Sequence, residues 1–373
     1  MLKIKNKIIA MLMRRHENRF EKSVKKMFEK NAMKWCKLIL TPEQEKEIQS
    51  FYKEHLGHRI NPLYHAYYFS RNGNFSPKYV PTSIYKAKII GRLNDLRMKD
   101  AYTDKNLYDR LFPQIKHPQT ILKCINGYFY QTDIPITKEE AIRLCSNLNN
   151  AIIKPSLDSG HGNKVMCFTT QDGITEKGNM VESLLNSYGK HFIIQERVKQ
   201  HHLMSALNPS SVNTIRLLTY RRQNTIEILY AVVRIGRKGE VIDNESGGGI
   251  TAKIHEDGRI DDYAYGLPSE AAFEKTECGV AVKNYKVPSF EKVKDIVKTL
   301  HLQLPFFNIA GWDIAIGEDG EPVFIEWNAR PELSQTAAGP AFGAFTEEIL
   351  KATRTRLTTN FYVLGQRRYN DGR

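Results

Sequence analysis

The chain has 373 residues, 41% of them hydrophobic, which is enough for two or three packed subdomains of ordinary globular composition. It contains no run of 18 apolar residues and no C-x-x-C pair among its five cysteines, which argues against a transmembrane protein, a disulfide framework and a zinc site. The net charge of +14 is concentrated at one end: residues 1–100 hold 22 Lys/Arg and 9 Asp/Glu, whereas residues 101–373 hold 33 and 32.

The N-terminal quarter is predicted to be mainly helical and basic. Residues 1–40 carry apolar side chains at helical spacing among lysines. A second helix is expected after Thr41, because Pro42 suits a first helical turn and Thr41 with Gln44 forms a capping box. Residues 57–100 are rich in Tyr, Arg, Asn, Gly and Pro and give no firm prediction.

Three interpretations fit the basic helix of residues 1–40. The favoured one is a solvated helix packed on the rest of the protein. The second is peripheral attachment to an anionic membrane face, where basic and apolar contributions add. Nucleic-acid binding is the third, and no recognised motif accompanies the charge. The scattered cysteines and the lack of a signal-peptide cleavage site predict a cytoplasmic protein, with membrane contact at most peripheral.

The middle of the chain mixes short helices and strands. A short helix is predicted at 104–111, and a longer one from Thr137, whose capping partner is Glu140, to about residue 150. The apolar strand Ala151–Pro155 then leads into a glycine-containing loop. A helix at about 177–187 and a strand at 191–195 follow.

The second half of the chain is rich in hairpins. Two long alternating strands, VNTIRLLTYRR and TIEILYAVVRIG, are joined by a turn at residues 223–224. Ser289 is expected to cap a helix to about residue 302, and an amphipathic helix is expected at 340–360. This mixture predicts an α+β fold with antiparallel sheets.

The most informative feature is the hairpin GWDIAIGEDGEPVFIEWN, whose turn is Glu318–Asp319–Gly320. Asp313 is expected to lie opposite Glu326, and alternation places Asn328 on the same face as Glu326. Oxygen ligands of this kind suit Mg²⁺, which takes one or two carboxylates and completes its shell with water and phosphates. The alternative is a surface hairpin with solvated acids.

Lysines suited to phosphate binding precede this hairpin. Lys154 ends an apolar strand beside a loop with glycines, which favours a phosphate clamp, although a strand-end lysine is often merely solvated. Lys105 lies in a short helical segment and is a weaker candidate. The strand FIIQERV, at residues 192–198, can present backbone groups to a flat ring, or it can be an ordinary buried strand.

Two arginines and a glycine triplet complete the candidates. Arg216 and Arg234 lie in apolar strands, where each needs an anion, either a carboxylate within the protein or a ligand. Asn213 lies near Arg216 on the opposite face of the same strand. Gly247, Gly248 and Gly249 permit close approach of a ligand or an unusual turn.

In order and spacing these segments resemble the ATP-grasp superfamily over roughly residues 100–345. The set comprises DK at 104–105, IIKPS at 152–156, IIQERV at 193–198 and the D-x12-E-x-N pattern of the acidic hairpin. The stretches SSVNTIRLLTY, DNESGGGI and GWDIAI are similar to the sugar-transfer-associated ATP-grasp branch, which is related to glutamate-ligase-like proteins.

The resemblance implies two α+β subdomains whose antiparallel sheets clamp ATP. It divides the chain into a basic helical extension (1–100), the N-terminal and ATP-lid subdomains (101–200) and a large subdomain with the metal site (201–373). It implies that ATP phosphates bind Lys105 and Lys154 beneath a loop with Ser159, Gly160 and Gly162, and that adenine contacts Gln195, Glu196 and Val198. Mg²⁺ would bind Asp313, Glu326 and Asn328, Arg216 and Arg234 would steady the transferring phosphoryl group, and Asn213 with Gly247, Gly248 and Gly249 would contact substrate.

The chain departs from the family pattern at two positions. Many members have an acidic residue for the ribose hydroxyls where this chain has His201 and His202, so His202 becomes the candidate. Many ligases carry an arginine two residues before the metal-binding aspartate, where this chain has Gly311, and Arg216 is the candidate for its role.

The activity implied is an ATP- and Mg²⁺-dependent ligase that joins a carboxylate to an amine through an acyl-phosphate, in cell-surface polysaccharide or sugar-conjugate synthesis. The alternatives are a phosphotransferase acting on a sugar hydroxyl and a non-catalytic nucleotide-binding partner of a glycosyltransferase. The expected partners are small carboxylates and amines, with nucleic acid disfavoured.

Overall fold

Helices and two antiparallel sheets make up the computed structural model of the chain, which describes residues 2–36, 38–157, 164–241, 243 and 247–355. The predicted α+β class is confirmed. The α-helices of the described part are α1 Leu2–Asn31, α2 Pro42–His55, α3 Leu63–Asn72, α4 Thr82–Ile84, α5 Ile90–Leu93, α6 Lys99–Thr103, α7 Tyr108–Leu111, α8 Lys138–Leu144, α9 Val181–Ser187, α10 His202–Leu207, α11 Phe290–Leu302, α12 Gln335–Ala338 and α13 Thr346–Thr355.

The smaller six-stranded sheet is built from residues 120–196. Its strands are β1 Thr120–Ile125, β2 Tyr128–Gln131, β3 Ile134–Ile136, β4 Ala151–Pro155, β5 Met166–Phe168 and β8 His191–Glu196, in the order β3-β2-β1-β8-β4-β5. A separate two-stranded ribbon pairs β6 Thr170–Gln171 with β7 Ile174–Thr175. Helices α8 and α9 pack on the six-stranded sheet around a core that includes Leu122, Ile153 and Phe192.

The larger sheet carries the acidic hairpin. Its strands are β9 Thr214–Arg222, β10 Thr225–Ile235, β11 Ile250–Ile254, β12 Ile260–Tyr265, β13 Ile309–Ile316 and β14 Pro322–Asn328, in the order β12-β11-β10-β9-β13-β14. Every pairing is antiparallel. The strand β9 is therefore held between β10 and β13, which fixes the side chains of three neighbouring strands relative to one another.

Both faces of the larger sheet are buried. One face packs on α11 through residues such as Val293, Val297 and Trp312, all fully buried. The other face packs on the N-terminal helices: Ile48 and Ile89 form one core with Val232 of β10. Residues 57–93, part of the segment 57–100 that the sequence left unassigned, are thus largely helical and cover the sheet.

Helix α1 packs against this N-terminal layer along its second half. Glu17 pairs with Arg92 at 2.7 Å, and Glu21 pairs with Lys88 at 2.8 Å. The ring of Phe28 stacks on Tyr64 with their centroids 4.0 Å apart. For residues 17–32 the structure therefore agrees with the packed-helix interpretation. Among the described residues, no helix combines the length and apolar character needed to span a bilayer.

Two backbone crossings join the sheets, and both are fastened to the acidic hairpin. Where the chain enters the smaller sheet, the Phe324 N–H donates to the Lys116 carbonyl at 2.8 Å. Where it leaves, the His201 N–H donates to the Ile316 carbonyl, and the Glu318 N–H donates to the Lys199 carbonyl, each at 2.9 Å. The hairpin thus contacts both ends of the smaller unit.

Several predicted elements were right and others need correction. The capping boxes at Thr41 and Thr137 are both present, but the helix after Thr137 ends at Leu144 because the chain turns there toward β4. The helix after Ser289 ends at Leu302 as predicted, yet the Ser289 hydroxyl donates to Gly320 O instead of capping. The last helix begins at Thr346, later than predicted.

Candidate active site

The acidic hairpin has the predicted register. Asp313 of β13 lies opposite Glu326 of β14, and Gly311 lies opposite Asn328. Asp313 is buried, with its side chain 2% exposed, whereas the Glu326 side chain is 29% exposed. The acids therefore form the floor of a cleft and are not the solvated surface pair of the alternative interpretation.

Two arginines from neighbouring strands neutralise Asp313. Arg216 lies directly opposite it on β9, and its Nη2 donates to Asp313 Oδ2 at 2.5 Å. Arg234 of β10 approaches Asp313 Oδ2 at 3.4 Å and Asp243 Oδ1 at 3.5 Å. Burial opposes ionisation of the Arg216 guanidinium, but the adjacent Asp313 outweighs it and raises the pKa of Arg216. Both arginines, whose pairing the sequence left open, are ion-paired within the protein.

The two predicted lysines converge on Glu326. Lys105 Nζ lies 3.2 Å from Glu326 Oε2, and the Lys105 N–H donates to the Ser156 carbonyl, which ties this segment to the end of β4. Lys154 is buried, and burial together with the nearby Lys105 charge lowers its pKa to about 8. Burial raises the pKa of Glu326, but Lys105, with the arginines and Lys154, more than offsets this and lowers it. Glu326 therefore stays anionic.

A cavity of about 140 Å³ lies between the two sheets beside these lysines. The three residues predicted to contact adenine, Gln195, Glu196 and Val198, line it, together with the apolar side chains of Ile152 and Ile325. This narrow, largely apolar slot with a cationic end suits a flat ring that carries phosphates.

A second, larger cavity of about 640 Å³ adjoins the first. Among the described residues, Lys105, Arg234 and Glu326 line both cavities. The larger cavity is bordered by the N-terminal helices on one side and by the segment after β14 on the other. The charged cluster therefore stands at the junction of two compartments.

Some predicted residues lie elsewhere. Asn213 is fully buried: its Nδ2 donates to the Met204 and Asn208 carbonyls at 2.8 Å, and its Oδ1 accepts from Ser211. These bonds occupy the amide, so Asn213 has a structural role in place of the predicted substrate contact. The loop with Ser159, Gly160 and Gly162 lies outside the described residues.

The histidine pair and the glycine triplet also differ from prediction. His201 caps α10 by accepting from the Leu203 N–H at 3.2 Å, and His202 is exposed on the first turn. Gly248 has φ +92°, and its carbonyl accepts from Arg237, so the glycines serve a turn into β11. None of His202, Gly247, Gly248 and Gly249 is among the described residues that line either cavity.

Two functional candidates were missed. Asp243 is buried and accepts from the Thr214 N–H at 3.1 Å, so it bridges Arg234 to β9. Arg330 lines the larger cavity, and no hydrogen bond or ion pair joins it to any residue in the described part of the chain. Burial lowers its pKa. The position of Arg330 two residues after Asn328 was the available signal, whereas nothing in the sequence distinguished Asp243.

The acidic set offers oxygen donors of the kind that a hard divalent cation binds, although both Asp313 oxygens accept from Arg216 in this structure. Asp313 and Glu326 are opposed carboxylates, and Asn328 Nδ2 is buried without a hydrogen-bond partner, which marks an amide awaiting a ligand. Either amide atom can face the site after rotation. No group of three His, Cys, Asp or Glu side chains suitable for a metal occurs in the described residues, so two carboxylates and an amide, completed by phosphate oxygens, is the donor set available.

The presence of glycine at position 311 has a steric explanation. A Cβ atom at Gly311 would lie 2.6 Å from Pro331 Cβ, so no larger residue fits without backbone movement. On β9, Arg216 lies opposite Asp313 and donates to its carboxylate. The arginine that many ligases place two residues before the aspartate is thus sterically excluded here.

Comparison with solved structures returns distant ATP-grasp proteins. The L-amino acid ligase from Bacillus licheniformis is 11% identical, with 72% of this chain and 49% of that chain covered and a TM-score of 0.38. The D-alanine–D-alanine ligase from Bacillus anthracis is 14% identical, with 71% and 69% covered and a TM-score of 0.38. The chain thus spans about half the length of the first enzyme. No curated protein matches it.

The family, in contrast, is clear from the sequence. The sugar-transfer associated ATP-grasp family matches residues 85–348, which is more than half of the chain. The protein belongs to this family, and its fold is the ATP-grasp fold. The predicted superfamily and branch are both confirmed.

Proposed function

We propose that the protein is an ATP- and Mg²⁺-dependent ligase that joins a carboxylate to an amine. The observation that carries this proposal is the junction of the two cavities at Lys105, Arg234 and Glu326. A phosphoryl group held there by the smaller cavity faces a substrate in the larger one. This is the arrangement that direct transfer between two bound substrates requires.

The smaller cavity binds ATP in this proposal. Gln195, Glu196 and Val198 contact the adenine ring, while Lys105 and Lys154 contact phosphate oxygens. The Lys105 charge disfavours protonation of the nearby Lys154. A bound polyphosphate would offset this repulsion between the two ammonium groups, because its negative charge lies close to both.

Asp313, Glu326 and Asn328 hold Mg²⁺, which supplies charge neutralisation on the phosphate oxygens. Glu326 is anionic at neutral pH and is already turned toward the cavity junction. Asp313 is held rigidly by Arg216, so its carboxylate is oriented before any ligand arrives.

In the proposed reaction a substrate carboxylate oxygen bonds to the γ-phosphorus and ADP leaves. The amine then attacks the acyl carbon and phosphate leaves, which yields an amide. Arg216 and Arg234 stabilise the charge that develops on the transferring group, and Arg330, which has no ion pair in the described structure, holds the anionic acceptor. No side-chain nucleophile is needed.

Product analysis tests the proposal. ADP and free phosphate are measured with Mg·ATP and a panel of amino acids and uronic acids, followed by mass analysis of the products. We expect phosphate release that depends on both a carboxylate and an amine. Glu326→Gln should abolish it, while Glu321→Gln, an exposed acid of the same hairpin, should not. A stable phosphorylated acceptor would instead establish a phosphotransferase, and ATP binding without any turnover would favour a non-catalytic partner of a glycosyltransferase.

The family and the first helix support a proposal for the cellular setting. A cytoplasmic role in polysaccharide or sugar-conjugate synthesis fits a sugar-transfer associated family. Met11 and Leu12 of α1 are 48% and 50% exposed beside the exposed Arg14 and Arg15, which supports peripheral contact with an anionic membrane face.

A further inference from the structure

The larger cavity has a wall that the family match does not include. Family similarity begins at residue 85, whereas Phe28 of α1 and Tyr67 of α3 line the cavity. Opposite the charged floor, Tyr265 of β12 faces the same space. This chain therefore adds aromatic surface to the site from outside the shared region.

The wall is fastened to the rim of the cavity. Arg71, at the end of α3, donates to the Leu267 and Pro268 carbonyls, each at 3.3 Å. The adjacent Asn72 Nδ2 donates to the Thr336 carbonyl at 3.1 Å. Leu267, Pro268 and Thr336 all line the cavity. The end of α3 is thus joined both to the segment after β12 and to α12, and both of these border the cavity.

The side chains that line the larger cavity limit the class of ligand that it can bind. Aromatic side chains offer flat apolar surface, and the hydroxyl-bearing residues Thr251, Ser334 and Thr336 line the same cavity. The Tyr265 hydroxyl has no hydrogen bond within the described residues, and Arg330 supplies a cation without an ion pair there. Flat faces, hydroxyl groups and an arginine together suit a ring that carries both hydroxyls and a carboxylate.

We propose that this cavity binds an acceptor whose carboxylate is carried on a sugar-sized ring, and that the wall formed by α1 and α3 selects it. The inference rests on the proposed ligase function, whose acceptor class it names. With a volume of about 640 Å³, the cavity lies within the range of roughly 300–1,000 Å³ typical of pockets for drug-sized ligands, so a ring with a substituent is accommodated.

Direct binding, without turnover, tests the ligand class. Isothermal titration of the full chain, saturated with Mg·ADP, is performed with methyl glucuronide, methyl glucoside and N-acetylglutamate. The first has ring and carboxylate, the second only the ring and the third only carboxylates. We expect the glucuronide to bind at least tenfold more tightly than either. Equal binding of N-acetylglutamate, or no binding of the glucuronide, would overturn the ring-acid assignment.

Matched substitutions test the wall. Phe28→Leu is compared with Phe20→Leu on the same helix, and Tyr265→Ala with Tyr263→Ala on the same strand; Phe20 and Tyr263 are outside the described cavity lining. The first member of each pair should weaken glucuronide binding at least fivefold, with ADP affinity unchanged. Equal effects within the phenylalanine pair would refute the role of the wall, and equal effects within the tyrosine pair would refute the role of Tyr265. Glucuronide binding without ligase turnover would refute the proposed ligase reaction but leave the ring-acid assignment standing.

Discussion

The buried ion pair between Arg216 and Asp313 permits a quantitative prediction. Arg216→Met removes the guanidinium that pairs with the Asp313 carboxylate. The Asp313 side chain is only 2% exposed, so water cannot replace the lost partner. Removing one partner of a buried pair costs about 3–5 kcal/mol of unfolding free energy. Arg234 remains at 3.4 Å from Asp313 Oδ2. We therefore expect the loss of unfolding free energy to lie at the lower end of this range, at about 3 kcal/mol.

A second substitution separates charge burial from packing. Asp313→Leu alone leaves two buried guanidinium groups short of a partner, and should also be strongly destabilising. Combined with Arg216→Met, it leaves neither the carboxylate nor Arg216 uncompensated. The double variant should therefore lose at least about 2 kcal/mol less than the sum of the single losses.

Equilibrium urea unfolding at pH 7 measures these changes. Lys292→Met is the control, because Lys292 pairs with Glu321 at 2.5 Å on the surface, with side chains 59% and 50% exposed. That exposed pair should contribute less than about 1 kcal/mol. If Arg216→Met costs no more than Lys292→Met, or if the double variant is additive, the argument from burial is refuted.

Three further predictions concern pH and the membrane. Lys154 loses its proton above a pKa of about 8, so ATP affinity measured by titration calorimetry should fall about fivefold between pH 8 and 9, and Lys154→Arg should remove this fall. Burial lowers the pKa of His301 to about 4. As the pH falls from 6.5 to 4, His301 is therefore protonated in the unfolded chain before it is protonated in the folded protein. Stability should drop by up to about 3 kcal/mol in that window, and less in His301→Gln, as urea unfolding at pH 7 and 4.5 will show. Leu12→Glu should reduce co-sedimentation with anionic vesicles relative to Leu302→Glu, an equally exposed control, and equal sedimentation would exclude contact through α1.

The parts of the fold that were predicted well from the sequence depend on local sequence patterns. The apolar strands on either side of the Glu318–Asp319–Gly320 turn indicated the hairpin in which Asp313 lies opposite Glu326. A bulge between Asp313 and Ile314 completes that register, because regular pairing from the turn would place Asp313 opposite Ile325. The capping boxes at Thr41 and Thr137 depend on residues three apart and were equally readable.

Features that depend on distant contacts were not predictable. Residues 82–93 contain a π-helical turn at Tyr85–Ile89, which shifts the helical period and hides the buried stripe. Asn213 resembles a ligand-binding amide in sequence, but its partners come from residues 200–211 and Gly236. The lining of the larger cavity combines residues more than 200 positions apart, such as Phe28 and Tyr265, and no local sequence pattern records that proximity.

The attachment of both inter-sheet crossings to one hairpin has a mechanical consequence. The carbonyls of Lys116 and Lys199 are bonded to β14 and to the turn after β13, so both chain connections to the smaller sheet are held beside the strands that carry the acids. A displacement of the smaller sheet about these connections would change the distance between Lys154, at the end of β4, and the acids. Asp313 and Glu326 would stay in register, because their strands are paired within the other sheet.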